Sequence, residues 1–278
     1  MSRVPFYKYQ AAGNDFILID TKECPNALRM AQQNAKVLCD RHFGIGGDGI
    51  LILTYGNHDH ADAFMHIING DGSTADMCGN GIRCVALHLY HSLSSSKPVR
   101  QLSIDTRGGL QHIRFLESQE GGALKISVQM ARAIIQNEIE IVHQHEYYRG
   151  LQVDVGNPHA VFECMHPKAA LEQSGEYLSH HPLFPDRSNI ELIREISPNE
   201  LEFYVYERGV GPTLACGTGC VAAARAYASR HHTFGDMLIH APGGDLTVRV
   251  PEDSAFPIEL IGDAHKVFEG YIPISDEA

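Results

Sequence analysis

Apolar residues along this chain fall into short runs, several of which alternate with polar residues as in half-buried β-strands. These runs predict strands over Phe16–Ile19, Ile50–Leu53, Leu151–Val155 and Asp245–Val250. Longer segments predict helices over Ala27–Cys39, Ile82–Tyr90 and Val221–Ala228. The last two carry Ala, Val and Leu on several sides, so we expect them to be buried within their domains. Strands mixed with helices in this way predict a mixed α/β class.

A second pattern is an internal similarity between two segments whose cysteines lie 138 residues apart. Residues 77–84 read MCGNGIRC, and residues 215–220 read ACGTGC. An apolar run ends nine residues before each cysteine, at Asn69 in the first segment and at Glu207 in the second. Further upstream, GNDF in the first half has an echo in GNPH in the second. Because the matched landmarks keep one order, they indicate a duplicated unit with two similar halves facing each other.

In each segment a predicted helix follows the C-G-x-G motif, which places Cys78 and Cys216 at helix N-termini. The start of a helix offers unpaired N–H groups and the positive end of the helix dipole. A thiol placed there is expected to ionise more readily, and a carboxylate can be held there. Such a pair is suited to removing a proton α to a carboxylate: one thiolate accepts the proton, and the other thiol donates one to the opposite face.

Composition narrows the class of protein. The length of 278 residues is about twice that of a usual domain, which predicts two domains. A formal net charge of −12 argues against a nucleic-acid or membrane-surface partner. No apolar run is long enough to span a membrane and the start of the chain is not a secretory signal, so a cytoplasmic protein is expected. The seven cysteines are then thiols, and those other than Cys78 and Cys216 are interpreted as buried structural residues.

Two other motifs are interpreted as incidental. Residues 44–49 match the glycine pattern of dinucleotide-binding loops, but here a helix precedes the loop and a strand follows it, which reverses the order that such a site requires. Cys216 and Cys220, with His231 and His232 downstream, fit no standard zinc-ligand spacing. We therefore predict neither a nucleotide cofactor nor a metal.

The motifs GNDF, NGDGS, CGNGIRC, GNPH and YERGVGPTLACGTG, taken together, resemble those of diaminopimelate epimerases over nearly the whole chain. The resemblance implies interconversion of LL- and meso-diaminopimelate in lysine and peptidoglycan-precursor biosynthesis, without a cofactor, by a homodimer. The implied fold has two pseudo-symmetric α/β domains, each a mixed sheet or barrel wrapped around a central helix. The expected domains are 1–119 with 266–278, carrying Cys78, and 120–265, carrying Cys216.

The resemblance also implies roles for individual residues. Cys78 and Cys216 would be the acid–base pair, with His159 and Glu207 adjusting their ionisation. Phe268 would lie at the dimer interface, where some members have tyrosine, and Gly49 stands where some have glutamine. The substrate would be bound by Asn14, Asn69, Gly79, Asn80, Asn157, Asn189, Glu207, Arg208, Gly217 and Thr218.

Three alternatives stay open at this point. A racemase for another amino acid, of the proline or histidine type, would use the same fold, although Glu207-Arg208 favours a substrate with a second charged head. A pyridoxal-dependent racemase is neither required nor forbidden by the lysines present. A ligand-binding protein without activity would leave the paired cysteines unexplained.

Overall fold

A computed structural model describes residues 2–56, 60–94, 98–116, 124–130, 132–253 and 255–274. The chain divides into two compact units, and each is described by itself. Unit 1 comprises residues 1–128 and 263–278, and unit 2 comprises residues 129–262. The expected division between 119 and 120 falls in 117–123, outside the described residues.

The part of unit 1 before the division holds eight strands and two helices among its described residues. The strands are β1 (Ser2–Ala11), β2 (Asn14–Asp20), β3 (Gly49–Thr54), β4 (Ala63–Asn69), β5 (Thr74–Ala75), β6 (Gln101–Asp105), β7 (Gln111–Leu116) and β8 (Lys125–Gln129). The helices are α1 (Ala27–Cys39) and α2 (Gly79–Ser94).

In unit 2 the described residues form nine strands and two helices. The strands are β9 (Ile134–His143), β10 (Glu146–Asp154), β11 (Pro158–Glu163), β12 (Asn189–Ser197), β13 (Glu200–Glu207), β14 (Gly211–Thr213), β15 (Gly235–Ala241), β16 (Gly244–Val250) and β17 (Glu259–Gly262). The helices are α3 (Pro167–Ser179) and α4 (Gly217–His231). The last strand, β18 (His265–Ile274), returns to unit 1 and pairs antiparallel with β1.

The two units repeat one topology. In unit 1, β2 pairs antiparallel with β1 and parallel with β3, β4 pairs antiparallel with β3, and β6 pairs parallel with β4. In unit 2, β11 likewise pairs antiparallel with β10 and parallel with β12. Strand β13 pairs antiparallel with β12, and β15 pairs parallel with β13. Helices α1 and α3 connect the first parallel pair, and α2 and α4 connect the second. The mixed α/β class and the pseudo-symmetric duplication predicted from the motifs are confirmed.

The shared topology makes individual positions equivalent. In the first parallel pair Phe16 lies opposite Gly49 in unit 1, and His159 lies opposite Asn189 in unit 2. Phe16 therefore corresponds to His159, and Gly49 corresponds to Asn189. Two residues further along the same strands, Leu51 corresponds to Glu191.

Each unit is built around one central helix. Helix α2 is buried from Gly79 to Leu89 and packs against β1, β2, β3, β4, β6 and β18. Helix α4 packs against β10, β11, β12, β15 and β16, and its buried alanines keep it narrow enough for strands to lie on several sides. Both predicted helices are thus confirmed and begin earlier than the apolar pattern alone indicated. No helix in the described part of the chain combines the length and apolar character needed to cross a membrane.

Helices α1 and α3 cover the outer faces and are amphipathic. Ala27, Ala31 and Ala35 recur every four residues on α1 and join the apolar core of unit 1. Leu171 and Leu178, two turns apart on α3, join the apolar core of unit 2. Side chains on the opposite faces are exposed, so each unit has two packed layers of apolar contacts around its strands.

Gly150 provides a test of how closely the strands of unit 2 approach one another. A Cβ at this position would lie 2.2 Å from the Val161 carbonyl oxygen and 2.6 Å from Phe162 Cδ1 on the paired strand β11. We expect Gly150→Ala to lower the free energy of unfolding by about 1–3 kcal/mol, measured by urea denaturation. The neighbouring exposed Arg149→Ala should change it by less than about 0.5 kcal/mol. Equal stabilities of the two variants would contradict this packing.

Candidate active site

The cysteine of unit 1 lies at the start of its central helix. The Cys78 carbonyl accepts a hydrogen bond from the backbone N–H of Ile82 at 2.9 Å, which is the first helical bond of α2. Its sulfur accepts from the Gly81 N–H at 3.3 Å and lies 3.7 Å from Asn14 Oδ1, to which the thiol donates. Asn80 Nδ2 lies 3.5 Å from the same oxygen. The structure therefore brings together three residues that the sequence predicted for the site: Cys78, Asn14 and Asn80.

The orientation of the Asn14 amide is fixed from its other end. Asn14 Nδ2 donates to Asp48 Oδ2 at 2.5 Å, so Oδ1 is the atom that faces Cys78. Asp48 Oδ2 also accepts from the Asp15 backbone N–H at 3.0 Å. Asp48 lies in the glycine-rich loop that precedes β3, and sequence reasoning did not anticipate this role.

Asp48 belongs to a network of four charged residues. The ammonium of Lys8, which is buried, lies 2.6 Å from Asp15 Oδ2, and Arg41 Nη2 lies 2.7 Å from Asp15 Oδ1 and 2.8 Å from Asp48 Oδ1. Burial by itself would raise the pKa of Asp15, but hydrogen bonds from Arg41 and Lys8 and their positive charges outweigh it and lower that pKa to about 2. The loop that orients Asn14 is therefore anchored by ionised groups.

The cysteine of unit 2 occupies the equivalent place. Cys216 is the N-cap of α4, and its carbonyl accepts from the Cys220 N–H at 2.9 Å. Its sulfur lies 3.5 Å from the hydroxyl oxygen of Thr218, which in turn lies 3.5 Å from Asn157 Nδ2. Gly217 and Thr218 form the first turn, so the predicted helix-start donors do lie beside Cys216.

The ionisation expected for a cysteine at a helix start is not found at Cys216. Burial raises the pKa of this thiol well above its ordinary value, and the negative charge of Glu207 raises it further. The Thr218 hydroxyl and the Gly219 backbone N–H act in the opposite direction but do not prevail. The prediction of ready ionisation was wrong for Cys216, because it counted the helix dipole and left out the desolvation of a buried sulfur.

The predicted residues at the strand ends of unit 2 form a separate set of contacts. Asn189 Oδ1 accepts the Arg208 backbone N–H at 2.9 Å, and Asn189 Nδ2 donates to the Pro158 carbonyl at 2.9 Å. The Thr213 hydroxyl donates to Glu207 Oε1 at 2.5 Å. The Arg208 side chain is exposed, and its Nη1 lies 3.4 Å from the Asp186 carbonyl oxygen. Asn189 thus fixes the backbone of the Glu207-Arg208 turn.

His159 lies in a buried chain of polar groups with a partner that the sequence did not reveal. Its Nδ1 lies 2.6 Å from Glu191 Oε1, and its Nε2 lies 3.0 Å from Asn157 Oδ1. Both His159 and Glu191 are completely buried. Glu191 lies on β12 between the apolar residues Ile190 and Leu192. A glutamate flanked by apolar residues in the run NIELI is the sequence signal that could have found it.

In unit 1 the corresponding strand ends carry Gly49 and Asn69. A Cβ on Gly49 would lie 2.8 Å from the Ile68 carbonyl oxygen, so a side chain at this position would force the paired strand β4 to shift. Asn69 ends β4, where its Nδ2 donates to the Ser73 hydroxyl at 2.9 Å. Asn69 is therefore held in a turn, and the close approach of β4 explains why position 49 carries no side chain. Among the described residues, no group of three or more His, Cys, Asp or Glu side chains could hold a metal ion.

The chain is similar to known proteins over nearly its whole length. The family model for diaminopimelate epimerase matches residues 6–135 and 151–267. A diaminopimelate epimerase from Desulfitobacterium hafniense is 36% identical, with 95% of this chain and 96% of the relative covered. One from Microcystis aeruginosa is 35% identical, with 98% and 100% covered. The chain belongs to the diaminopimelate epimerase family. It is accordingly an isomerase.

Solved structures with low sequence identity share the fold of this epimerase-family chain. A phenazine biosynthesis protein of the PhzF family from Bacillus anthracis superimposes with a TM-score of 0.74 at 15% identity, covering 99% of this chain and 100% of that one. A hydroxyproline epimerase from Agrobacterium vitis, with bound trans-4-hydroxy-L-proline, gives 0.71 at 14% identity, covering 98% and 91%. These structural similarities establish the duplicated fold and do not identify the substrate.

The network around Asp15 predicts a dependence of stability on acid. Because the pKa of Asp15 is lowered from 3.8 to about 2, its contribution is complete above about pH 4 and is lost as the pH falls toward 2. We expect Asp15→Asn to be less stable than the parent at pH 5, with the gap in thermal midpoint narrowing between pH 4 and pH 2. The exposed Glu172→Gln on α3 serves as the control and should show little gap throughout. A gap for Asp15→Asn that stays constant down to pH 2 would refute this assignment.

Proposed function

We propose that this protein interconverts LL- and meso-diaminopimelate by a two-base transfer of the α-proton, with Cys78 and Cys216 as the two bases. The observation that carries the proposal is the repeated placement of a cysteine at the start of each central helix. Each has polar partners that the sequence predicted: Asn14 and Asn80 beside Cys78, and Thr218 beside Cys216. Relatives named for this activity match over nearly the full length.

The reaction needs one thiolate and one thiol. The thiolate takes the proton from the α-carbon, whose bonding electrons pass into the carboxylate, and the thiol donates its proton to the opposite face of that carbon. The configuration inverts, and the two cysteines exchange protonation states, so the enzyme runs in either direction. Because burial and the charge of Glu207 raise the pKa of Cys216, this cysteine enters the cycle as the thiol.

The residues around the cysteines are suited to holding a substrate with two amino-acid heads. The helix starts at Gly79-Asn80 and Gly217-Thr218 offer backbone N–H donors to the carboxylate beside the reacting carbon. Their hydrogen bonds strengthen as negative charge develops on that carboxylate. The exposed guanidinium of Arg208 is suited to pairing with the distal carboxylate, and Glu207 to the ammonium groups.

A racemase for proline-type amino acids is the second candidate. The structural likeness to a hydroxyproline epimerase, at a TM-score of 0.71, favours it at the level of the fold. A cyclic imino acid has one carboxylate and lacks a second charged head, so it leaves Arg208 without a role. Diaminopimelate uses both halves of the Glu207-Arg208 turn and is therefore preferred.

The proposal predicts the outcome of replacing each cysteine. In deuterated water with LL-diaminopimelate, we expect the parent protein to form the meso isomer with one deuterium at the inverted carbon. Cys78→Ala and Cys216→Ala should each lose at least about a thousandfold in kcat, because each removes a proton acceptor or donor. The matched control is Cys164→Ala, a half-buried cysteine outside both clusters, which should retain activity.

Other outcomes of the same experiment separate the alternatives. Near-normal turnover in either cysteine variant would rule out the two-base scheme. Turnover of proline or hydroxyproline in place of diaminopimelate would favour the second candidate. An absorbance band above 380 nm in the active purified protein would show a bound pyridoxal cofactor and contradict the proposed cofactor-independent reaction. The cytoplasmic location and the role in lysine and peptidoglycan-precursor synthesis follow from the proposed substrate.

We also propose a homodimer that buries exposed apolar side chains of β18. Val267, Phe268 and Tyr271 on this strand are exposed by 55%, 46% and 66%, which leaves large apolar side chains of unit 1 open to solvent. Phe268→Glu should convert the dimer to a monomer in light-scattering measurements, because it places a charge in the buried interface. Phe43→Glu, at a 90% exposed loop residue of the same unit, should leave the mass unchanged. A monomeric parent protein would refute the dimer.

A further inference from the structure

Because the fold is duplicated, the residues beneath the Cys78 cluster can be compared with those beneath the Cys216 cluster. A Cβ on Gly81 would lie 3.1 Å from Leu51 Cδ2 and 3.5 Å from Cys78 Cβ. A Cβ on Gly219 would lie 2.8 Å from Glu191 Oε1 and 3.2 Å from Cys216 Cβ. The first turn of each central helix therefore rests on the equivalent strand residue, which is leucine in unit 1 and glutamate in unit 2.

The neighbouring strand differs in the same way. Unit 1 has the buried Phe16 where unit 2 has the buried His159. An apolar pair is thus sufficient to pack this position in the fold. The polar pair of His159 and Glu191 has no packing advantage over the apolar pair, since two polar groups must be desolvated to bury it there. Its presence beneath Cys216 indicates another role.

The hydrogen bonds of the polar pair run in a chain to the sulfur. Glu191 Oε1 lies 2.6 Å from His159 Nδ1, and His159 Nε2 lies 3.0 Å from Asn157 Oδ1. Asn157 Nδ2 lies 3.5 Å from Thr218 Oγ1, which lies 3.5 Å from Cys216 Sγ. Four contacts therefore connect a buried carboxyl group with the reacting atom.

The direction of these hydrogen bonds depends on one proton. Asn157 Oδ1 can only accept, so His159 Nε2 must carry a hydrogen. The Asn157 Nδ2 amide then donates to the Thr218 oxygen, which leaves the Thr218 hydroxyl hydrogen free to point at Cys216 Sγ. If the His159 hydrogen moved to Nδ1, Asn157 would turn its amide over and the Thr218 hydroxyl would lose this direction.

The surroundings of Glu191 favour its neutral form. Its Oε2 is buried, and among the described residues no donor lies within hydrogen-bonding distance of that oxygen. Burial raises the pKa of Glu191 and the charge of Glu207 raises it further, against the opposing effect of His159. A neutral carboxylic acid leaves only a carbonyl oxygen without a partner, whereas a carboxylate would leave a charged one.

We propose that Glu191 is a positioning residue: the O–H of its neutral carboxylic acid donates a hydrogen bond to His159 Nδ1, keeps the His159 hydrogen on Nε2, and thereby directs the Thr218 hydroxyl to Cys216. The hydroxyl then stabilises the Cys216 thiolate whenever this cysteine has given up its proton. The inference rests on the proposed role of Cys216 in proton transfer. The titratable groups that face Glu191 are His159, Glu207 and Cys216.

Two substitutions at Glu191 separate hydrogen-bond direction from charge. Glu191→Gln keeps an N–H that donates to His159 Nδ1, so kcat should stay within about threefold of the parent. Glu191→Leu introduces the unit 1 residue and removes the donor, and kcat should fall tenfold or more with a smaller change in KM. Glu195→Gln, at an exposed position on the same strand, is the matched control and should behave like the parent.

A thiol measurement tests the inference without relying on turnover. The reaction of Cys216 with iodoacetamide is followed against pH by peptide mass, with Cys78 resolved as a separate peptide. In Glu191→Leu the pH of half-maximal reaction of Cys216 should rise by about one unit, because a hydrogen bond to the thiolate is lost. In Glu191→Gln it should stay in place. A lowered value in Glu191→Gln would show that an ionised carboxylate acts by charge and would overturn the proposal, as would an unchanged value in Glu191→Leu.

Two further measurements cover the case in which Glu191→Leu does not fold. The double variant His159→Phe with Glu191→Leu takes the whole apolar pair of unit 1, which the fold already accommodates, and should show the same shift at Cys216. In the parent protein, nitrogen NMR of His159, assigned by its loss in His159→Gln, should show a hydrogen on Nε2 and none on Nδ1. Two protonated nitrogens would overturn the proposal. An unshifted Cys216 with active enzyme rejects this inference, whereas the expected shift without epimerase activity rejects the proposed function.

Discussion

The structure depends on the way each central helix begins. A single backbone bond, from the carbonyl of the cysteine to the N–H four residues later, starts the helix at 2.9 Å in both units. That bond fixes the cysteine where free N–H groups collect, and small residues in the first turn let a strand approach closely beneath it. The polar side chains that contact each sulfur lie around this point: the amide of Asn14 in one unit and the hydroxyl of Thr218 in the other.

Much of this arrangement could be predicted from the sequence because it is local. The alternation of apolar residues located strands, and the repeated C-G-x-G placed two cysteines at helix starts. The partners contributed by distant strands were harder to find. Glu191 and Asp48 act through contacts with residues 32 and 34 positions away, and no local pattern identifies those partners. The ionisation of Cys216 was misjudged for the same reason, since burial is a property of the packed unit and the helix dipole is a property of the segment.

The two units share a topology but differ in electrostatic character. Ionised groups lie beneath the loop of unit 1, where Lys8 and Arg41 hold Asp15 and Asp48. Unit 2 places a buried histidine and a buried glutamate under its cysteine. The proposed two-base reaction needs one sulfur with a proton and one without, and such unlike surroundings are suited to it. The duplication gives the two units the same topology, and the residues at the floor of each cluster differ, with Leu51 in unit 1 and Glu191 in unit 2.

The return of β18 to unit 1 has a consequence for how the chain is made. Strand β1 is synthesised well before the strand that covers its edge, which consists of residues 265–274. Unit 2 is one continuous segment, so its strands can all pair before β18 is synthesised. Unit 1 keeps an open strand edge, and a core that lacks Ile272, until β18 emerges from the ribosome. Loss of residues 265–274 would therefore harm unit 1, most of which is synthesised before unit 2.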